Sequence, residues 1–145
     1  MIYPEHFDTK IGFDRIRKLL EEKCLSEPGK QLVSNMEFLT DLSKIRSRLQ
    51  QTEEFRQILL LDDYFIDVSE GLKKLNIEGM VLEQSELFDL KRSLETIYKI
   101  IRYFSGKSTE EYPELKKISG RVKVHKYILD RCNSILNKHG EIRDT

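Results

Sequence analysis

The sequence predicts an all-α fold, an irregular bundle of about six to eight helices. Apolar residues recur at alternating spacings of three and four along most of the chain, which is the period of one helix face. Glycine and proline, which interrupt helices, number only seven and three among 145 residues. One extended run, residues 64–68, is long enough for a strand, but no second segment offers a partner, so we interpret it as a linker.

The longest predicted helix spans residues 82–104, and we expect the other helices to pack around it. One apolar stripe runs along it: Leu87, Leu90, Leu94, Ile97, Ile101 and Phe104. Charged side chains, among them Lys91 and Arg102, occupy the opposite side, which should face water. Ordering so long a backbone costs more conformational entropy than its own apolar stripe offsets. At least two neighbouring helices are therefore expected against it.

Shorter helices are predicted before the central one. The first begins at Phe13. Ser26 is expected to cap the next, because a serine hydroxyl accepts one of the free N–H groups at a helix start. A longer helix should begin after Thr40 or Asp41 and end near Leu61.

After the central helix, residues 105–112 form a polar connection that ends at a proline. Pro113 suits the first turn of a short helix, and Gly120 is expected to end it. A last helix is predicted from about Val124 to Gly140. The chain is therefore expected to contain several short helices on each side of the long one.

Charge is balanced overall but divided along the chain. The 25 basic and 25 acidic residues cancel, yet residues 1–90 hold 12 basic and 18 acidic side chains, and residues 91–145 hold 13 and 7. The C-terminal part therefore carries a net charge of plus six, the only electrostatic indication of a polyanionic partner. No apolar run approaches the length of a membrane span, and the start does not resemble a signal peptide, so we expect a cytoplasmic protein.

Gly106-Lys107-Ser108 matches the end of a phosphate-binding P-loop, G-x-x-x-x-G-K-[ST]. The first glycine of that motif would fall at Ile101, and the triplet follows a helix where the motif requires a strand. We therefore interpret it as a solvated loop and predict no nucleotide site in this chain.

No catalytic residue and no metal ligand is predicted. The three histidines are too dispersed for the spacing of a metal site. Glu53 and Glu54 are adjacent, so their carboxylates diverge, and we expect both to be solvated. Cys24 and Cys132 are expected to be reduced, buried thiols, with a disulfide as the alternative.

A cluster of basic residues in the C-terminal third supplies the candidate nucleic-acid contacts. They are Lys116, Lys117, Arg121, Lys123 and Lys126. Tyr112 and Tyr127 stand beside them and Arg131 follows, a composition that can neutralise phosphates. The alternative is an ordinary charged helix face, because Glu114 and Asp130 interrupt the run and no recognised nucleic-acid-binding motif encloses it.

Three stretches, in this order, resemble the MutS family of DNA-repair ATPases. They are Phe13-Asp14-x-Ile16 through Cys24-Leu25-Ser26-x-x-Gly29-Lys30, then Ile77-x-Gly79-x-Val81-Leu82, then Ile135 to Gly140-Glu141-Ile142-x-Asp144. The branch they resemble is the second bacterial one, the recombination-suppressing MutS-like proteins. The motifs are packing and turn residues, and Lys138-His139 stand where relatives often have acidic residues.

The resemblance implies that residues 1–145 are a single helical domain, the N-terminal core or lever fragment of a larger protein. The full-length protein would be a homodimeric ATPase that uses ATP and magnesium, with clamp-like arms for duplex or branched DNA or for a ribosome. A C-terminal nuclease domain often follows in this family. The fragment would couple ATP-driven movement to the clamp, with no catalytic site and no cofactor of its own. The alternative is a free-standing helical protein-interaction module.

Overall fold

The computed structural model describes residues 6–58, 65–108 and 110–143, which form eight helices and no strand. The helices are α1 (Phe7–Lys10), α2 (Phe13–Lys23), α3 (Glu27–Ser34), α4 (Leu42–Arg56), α5 (Ser69–Lys74), α6 (Gln84–Ser105), α7 (Pro113–Ser119) and α8 (Lys126–Ile135). The predicted all-α class is therefore confirmed. The chain divides into two compact units, Met1–Phe38 and Leu39–Thr145. The single-domain assignment stays a prediction.

The first unit contains α1, α2 and α3, and polar side chains link its helices. The Ser26 hydroxyl accepts the N–H of Gly29 at 3.3 Å and caps α3 as predicted. Arg17 on α2 donates to Asp8 Oδ2 at 3.2 Å and to the Met36 carbonyl at 3.1 Å. No residue of these three helices is buried. Among its described residues, the hydrogen bonds and the ion pair act together with an edge-on contact of the Phe7 and Phe38 rings, whose centres are 6.3 Å apart.

The second unit is organised around α6, and α7 and α8 pack against it. The buried apolar residues of the described chain are Phe104, Leu129, Cys132 and Leu136. The predicted contact with at least two helices is confirmed. The predicted burial of the α6 stripe is confirmed only at Phe104, because the other five residues of the stripe are half-buried.

The starts of α4 and α6 are set by side chains. Asp41, one of the two predicted caps, accepts the N–H of Ser43 at 2.8 Å and starts α4. The α6 helix begins two residues later than predicted, because Glu83 and Glu86 form a reciprocal cap in which Glu86 Oε2 accepts the Glu83 N–H at 2.9 Å. Glu86 also binds the Lys74 ammonium of α5, which holds the pKa of Glu86 below its ordinary value.

The α4 helix ends at Arg56, earlier than the predicted end near Leu61. Residues 59–64 lie outside the described residues, so part of the predicted linker is not described. Residues 65–68 form no helix or strand, in agreement with the linker interpretation.

The α8 helix ends at Ile135 rather than at Gly140, because the chain reverses direction there. Leu136 forms an isolated antiparallel bridge with Ile142. The side-chain oxygen of Asn137 accepts two backbone N–H groups within the reversal, at 2.8 and 3.0 Å. These hydrogen bonds replace the last predicted helical turn with a compact segment, residues 136–142, which we call the C-terminal turn.

The C-terminal turn is held against the first half of α6. Gln84 donates to the Gly140 carbonyl at 2.9 Å, and the Lys91 ammonium donates to the Asn137 carbonyl at 3.2 Å. The ring of Phe88 occupies the space beside Gly140, so a Cβ built on that glycine would lie 2.7 Å from a ring carbon. Lys91, which was predicted to face water, is therefore buried, with 6% of its surface exposed.

A buried carboxylate, Glu54, joins α4 to the N-terminus of α7. Its Oε2 accepts the N–H of Leu115 at 2.9 Å, and its Oε1 accepts the N–H of Glu114 at 3.2 Å and the side-chain amide of Gln50 at 3.2 Å. The first N–H groups of a helix have no partner within it, and Tyr112 at the N-cap supplies no side-chain acceptor. The prediction that Glu54 is solvated is wrong, because its side chain is 3% exposed and accepts these N–H groups instead of water.

We predict that Glu54→Gln lowers the free energy of unfolding by about 1–3 kcal/mol, because one α7 N–H would then face an amide NH₂ and lack an acceptor. Urea unfolding followed by circular dichroism measures the change. Glu53→Gln is the matched control, since the exposed Glu53 pairs with Arg56 at 3.0 Å and should contribute only about 0–1 kcal/mol. Equal effects of the two variants would contradict the capping role of Glu54.

A second prediction compares two glycines of the same unit. Gly140 and Gly79 have φ values of +83° and +81°, but a Cβ at Gly79 would meet nothing within 4 Å. Alanine at either position carries the cost of a left-handed conformation, about 1–2 kcal/mol. Gly140→Ala should lower the unfolding midpoint further than Gly79→Ala, because its methyl group also collides with Phe88. Identical midpoints would show that Phe88 can move aside without cost.

Candidate nucleic-acid interface

The five predicted basic residues lie on consecutive elements of the second unit. Lys116 and Lys117 belong to α7, Arg121 and Lys123 to the connection after it, and Lys126 begins α8. The structure therefore places them in one continuous segment of chain, and their local environments differ.

Lys116 is half-buried and bound within the protein. Its ammonium donates to the Lys107 carbonyl at 2.7 Å and to the Ser108 carbonyl at 3.2 Å. These carbonyls follow the C-terminus of α6, where a cation stabilises the negative end of the helix dipole. A phosphate would have to compete with both carbonyls for this ammonium.

Lys117 is exposed, but it forms an ion pair with Glu114 on the same helix. Glu114 also accepts the Ser47 hydroxyl at 2.6 Å, a contact that connects α7 to α4. Hydrogen bonds from Lys117 and then from Ser47 hold the pKa of the Glu114 carboxyl below its ordinary value. Glu114 thus remains an anion that partly neutralises Lys117.

The remaining cations are exposed, and no carboxylate of the described residues pairs with them. They are Arg121, Lys123, Lys126 and the following Arg131, which we call the basic surface. His125, the residue before α8, supplies no side-chain cap, so the positive end of the α8 dipole adds to the same charge. The contact of these residues with nucleic acid stays a prediction.

The two tyrosines of the predicted cluster also differ. Tyr112 packs against Tyr103 and Phe104, with ring centres 6.3 and 6.0 Å away. A hydrogen bond with the Tyr103 hydroxyl raises the pKa of the Tyr112 phenol above its ordinary value. Tyr127 is 73% exposed and lies on α8 within the basic surface. Only Tyr127 is therefore placed to contact a ligand there.

The Gly106-Lys107-Ser108 triplet lacks the strand that precedes the glycine-rich loop of a P-loop. It follows the C-terminus of α6, and carbonyls rather than N–H groups of this loop meet the Lys116 ammonium. The Lys107 ammonium lies 3.2 Å from Glu111 Oε2 and 5.2 Å from the Tyr103 ring centre. Hydrogen bonding with Glu111 raises the pKa of Lys107. The loop is therefore engaged by side chains of the same protein, Lys116 and Glu111.

Other reactive groups converge at no site among residues 6–58, 65–108 and 110–143. No three histidine, cysteine, aspartate or glutamate side chains of these ranges lie together as a metal ion requires. Cys24 and Cys132 are free thiols, half-buried and buried respectively, and burial raises the pKa of the Cys132 thiol. No helix in the same ranges is long and apolar enough to cross a membrane.

Sequence patterns did not indicate an apolar cavity of about 510 Å³ between α4, α6 and α7. Its walls include Phe55, Ile101 and Ile118. Phe55 and Ile118 are exposed at 55% and 45%, so the cavity opens to the surface. It contains none of the predicted site residues.

Proteins named Endonuclease MutS2 are similar to nearly the whole chain. The protein from Fusobacterium nucleatum subsp. nucleatum is 24% identical over 97% of this chain, that from Halothermothrix orenii 24% over 93%, and that from Bacillus velezensis 24% over 94%. This chain spans 18% of the length of each. No family model and no solved structure matches the chain. The predicted resemblance is confirmed by these relatives: over most of its length, this chain is similar to about one fifth of an endonuclease MutS2.

Proposed function

We propose that this chain is the N-terminal helical core or lever part of a MutS-like ATPase that acts in DNA repair or recombination. The similarity to proteins named Endonuclease MutS2, of which the chain spans 18%, supports this proposal. Under this proposal, the full-length protein is a cytoplasmic homodimer that binds ATP and magnesium. The part described by this chain couples ATP-driven movement to a clamp on DNA or on a ribosome. This part carries no catalytic residue.

The ATP that drives the movement would bind elsewhere in the full-length protein. Lys107, the only lysine in a P-loop-like triplet, is engaged with Glu111, and the loop around it turns carbonyls toward Lys116. Residues in this arrangement offer a phosphate no row of N–H donors. The role proposed for this part is therefore mechanical and contact-forming.

The basic surface is the observation that carries the nucleic-acid proposal. Its four cations are exposed and have no carboxylate partner among the described residues. Arginine and lysine contacts to phosphates position a protein on nucleic acid without reading its sequence. We therefore propose weak binding without sequence preference, with Lys116 and Lys117 contributing less because they have partners within the protein.

The coding sequence downstream of Thr145 tests the first proposal directly. We predict that it continues into long clamp helices followed by a P-loop that is preceded by a strand. A stop codon at that point in the gene would contradict the proposal and favour the free-standing interaction module.

A salt titration tests the nucleic-acid proposal. The triple variant Arg121→Ala, Lys123→Ala, Lys126→Ala should weaken binding to duplex DNA and lower the slope of log K against log salt by about one for each phosphate that the protein no longer neutralises. The starting dissociation constant is expected at the weak end of about 10⁻⁴–10⁻⁶ M. Fluorescence anisotropy with a labelled duplex measures both quantities.

The matched control for this titration removes the same number of charges from α4. The variant Lys44→Ala, Arg46→Ala, Arg48→Ala changes three exposed cations of the same unit. It should bind nearly as well as the unmodified chain. If both triple variants reduced affinity and slope equally, net charge rather than the basic surface would control binding.

A further inference from the structure

Tyr127 differs from the other tyrosines that the structure describes. Tyr98 and Tyr103 are half-buried, and each ring has a cation near its face, with the Arg102 guanidinium 5.9 Å from the Tyr98 centre and the Lys107 ammonium 5.2 Å from the Tyr103 centre. Tyr112 is packed against aromatic rings. Tyr127 is 73% exposed and has no such contact with any described residue. Its ring therefore adds nothing to the packing of this unit.

A single exposed aromatic residue is common on protein surfaces and does not indicate a binding site. Tyr127 is of interest because of the charged residues beside it on α8. At 100° per residue, the exposed residues of α8 follow one another around the axis in the order Lys126, Asp130, Ser134, Tyr127, Arg131, Ile135 and Ile128. Tyr127 and Arg131 are four residues apart and neighbours on the helix surface. Lys126 precedes Tyr127 directly in the sequence, and Asp130, three residues after Tyr127, lies between Lys126 and Tyr127 around the axis. The ring thus has the exposed Arg131 as a direct neighbour, and Lys126 lies beyond Asp130 on its other side.

This juxtaposition has the chemistry of a stacking platform for single strands. An aromatic side chain stacks on the flat face of any base, while nearby cations bind the phosphates on either side. In a duplex the base faces are already stacked on one another, so the ring gains little there. We infer that the basic surface accepts an unpaired nucleotide whose base stacks on Tyr127, and that it prefers single-stranded segments to duplex. The inference rests on the proposed nucleic-acid contact and names its substrate class.

Unpaired DNA and unpaired RNA offer the same flat base and the same phosphates, so both are included in the test. The probes are labelled oligonucleotides of about 12 nucleotides, within the range of known single-strand sites: single-stranded DNA, single-stranded RNA, a DNA duplex, and a DNA strand of equal length with abasic sugars. The abasic strand keeps the phosphates and removes the bases. Anisotropy with the 145-residue chain is measured at low salt and again at higher salt.

Tyr127→Ala should weaken binding to the single strands by roughly 5- to 150-fold, the range expected for one stacked base. It should leave affinity for the abasic strand and for the duplex unchanged, and it should not alter the salt slope, because no charge is removed. Tyr127→Phe, which keeps the ring, should retain the affinity of the unmodified chain. Circular dichroism of each variant confirms that α8 is still folded. The single strand that the unmodified chain binds more tightly, DNA or RNA, is the one that this surface prefers.

The two proposals fail in different ways. If Tyr127→Ala binds single strands as well as the unmodified chain does, while the basic-surface triple variant binds less, the stacking inference is overturned and the proposed contact stands. An equal decrease on the abasic strand would also overturn stacking, because that probe has no base. Absence of salt-dependent binding to all four probes would overturn the proposed contact and the inference together.

Discussion

The carboxylate of Glu54 is the contact on which the position of α7 depends. It lies on α4, is buried at 3% exposure, and supplies acceptors for two N–H groups at the start of α7. A helix of seven residues is too short to be stable alone, and Tyr112 does not cap it. Since the connection that carries Arg121 and Lys123 follows α7, the same carboxylate determines where the basic surface begins.

The other end of the unit is fixed by a different arrangement. The C-terminal turn lies on α6, where the Phe88 ring occupies the space beside Gly140 and the buried Lys91 ammonium donates to a carbonyl oxygen of the turn. Hydrogen bonding to the Asn137 carbonyl, together with Glu95 at 4.0 Å, offsets part of the cost of removing the charge from water. The Phe88 ring, 5.9 Å from the ammonium, adds a cation–π contact.

Local signals predicted the helix starts well. Ser26 and Asp41 act as caps and Pro113 opens α7, because capping depends on residues two or three apart. Burial could not be predicted in this way. Glu54 and Lys91 lie in helices among charged neighbours and look solvated until a partner about 60 or 46 residues away is known. One sequence signal was present. Tyr112, the residue before Pro113, is not a capping residue, so the first N–H groups of α7 need an acceptor from another part of the chain.

The same limit applies to the candidate site. The basic residues and Tyr127 were evident in the sequence, but their availability depends on folding, which binds Lys116 to loop carbonyls and Lys117 to a carboxylate that also receives the Ser47 hydroxyl. Helix α2 shows the converse, since its apolar residues Ile16 and Leu19 lie at helical spacing and are 51% and 61% exposed in the structure. A period predicts a helix and its amphipathic face, and it does not identify what covers that face.

The span between Glu54 and Leu115 has a consequence for the order of folding. Their contact closes a loop of 61 residues, whereas the contacts within α4 or α6 join neighbours one turn apart. Closing such a loop costs entropy that is recovered only when α4 and α7 have met, so long-range contacts of this kind form slowly. We expect the long helices to form first and α7 to form late. Synthesis on the ribosome acts in the same direction, because Glu54 is synthesised 61 residues before Leu115, whose N–H group it binds.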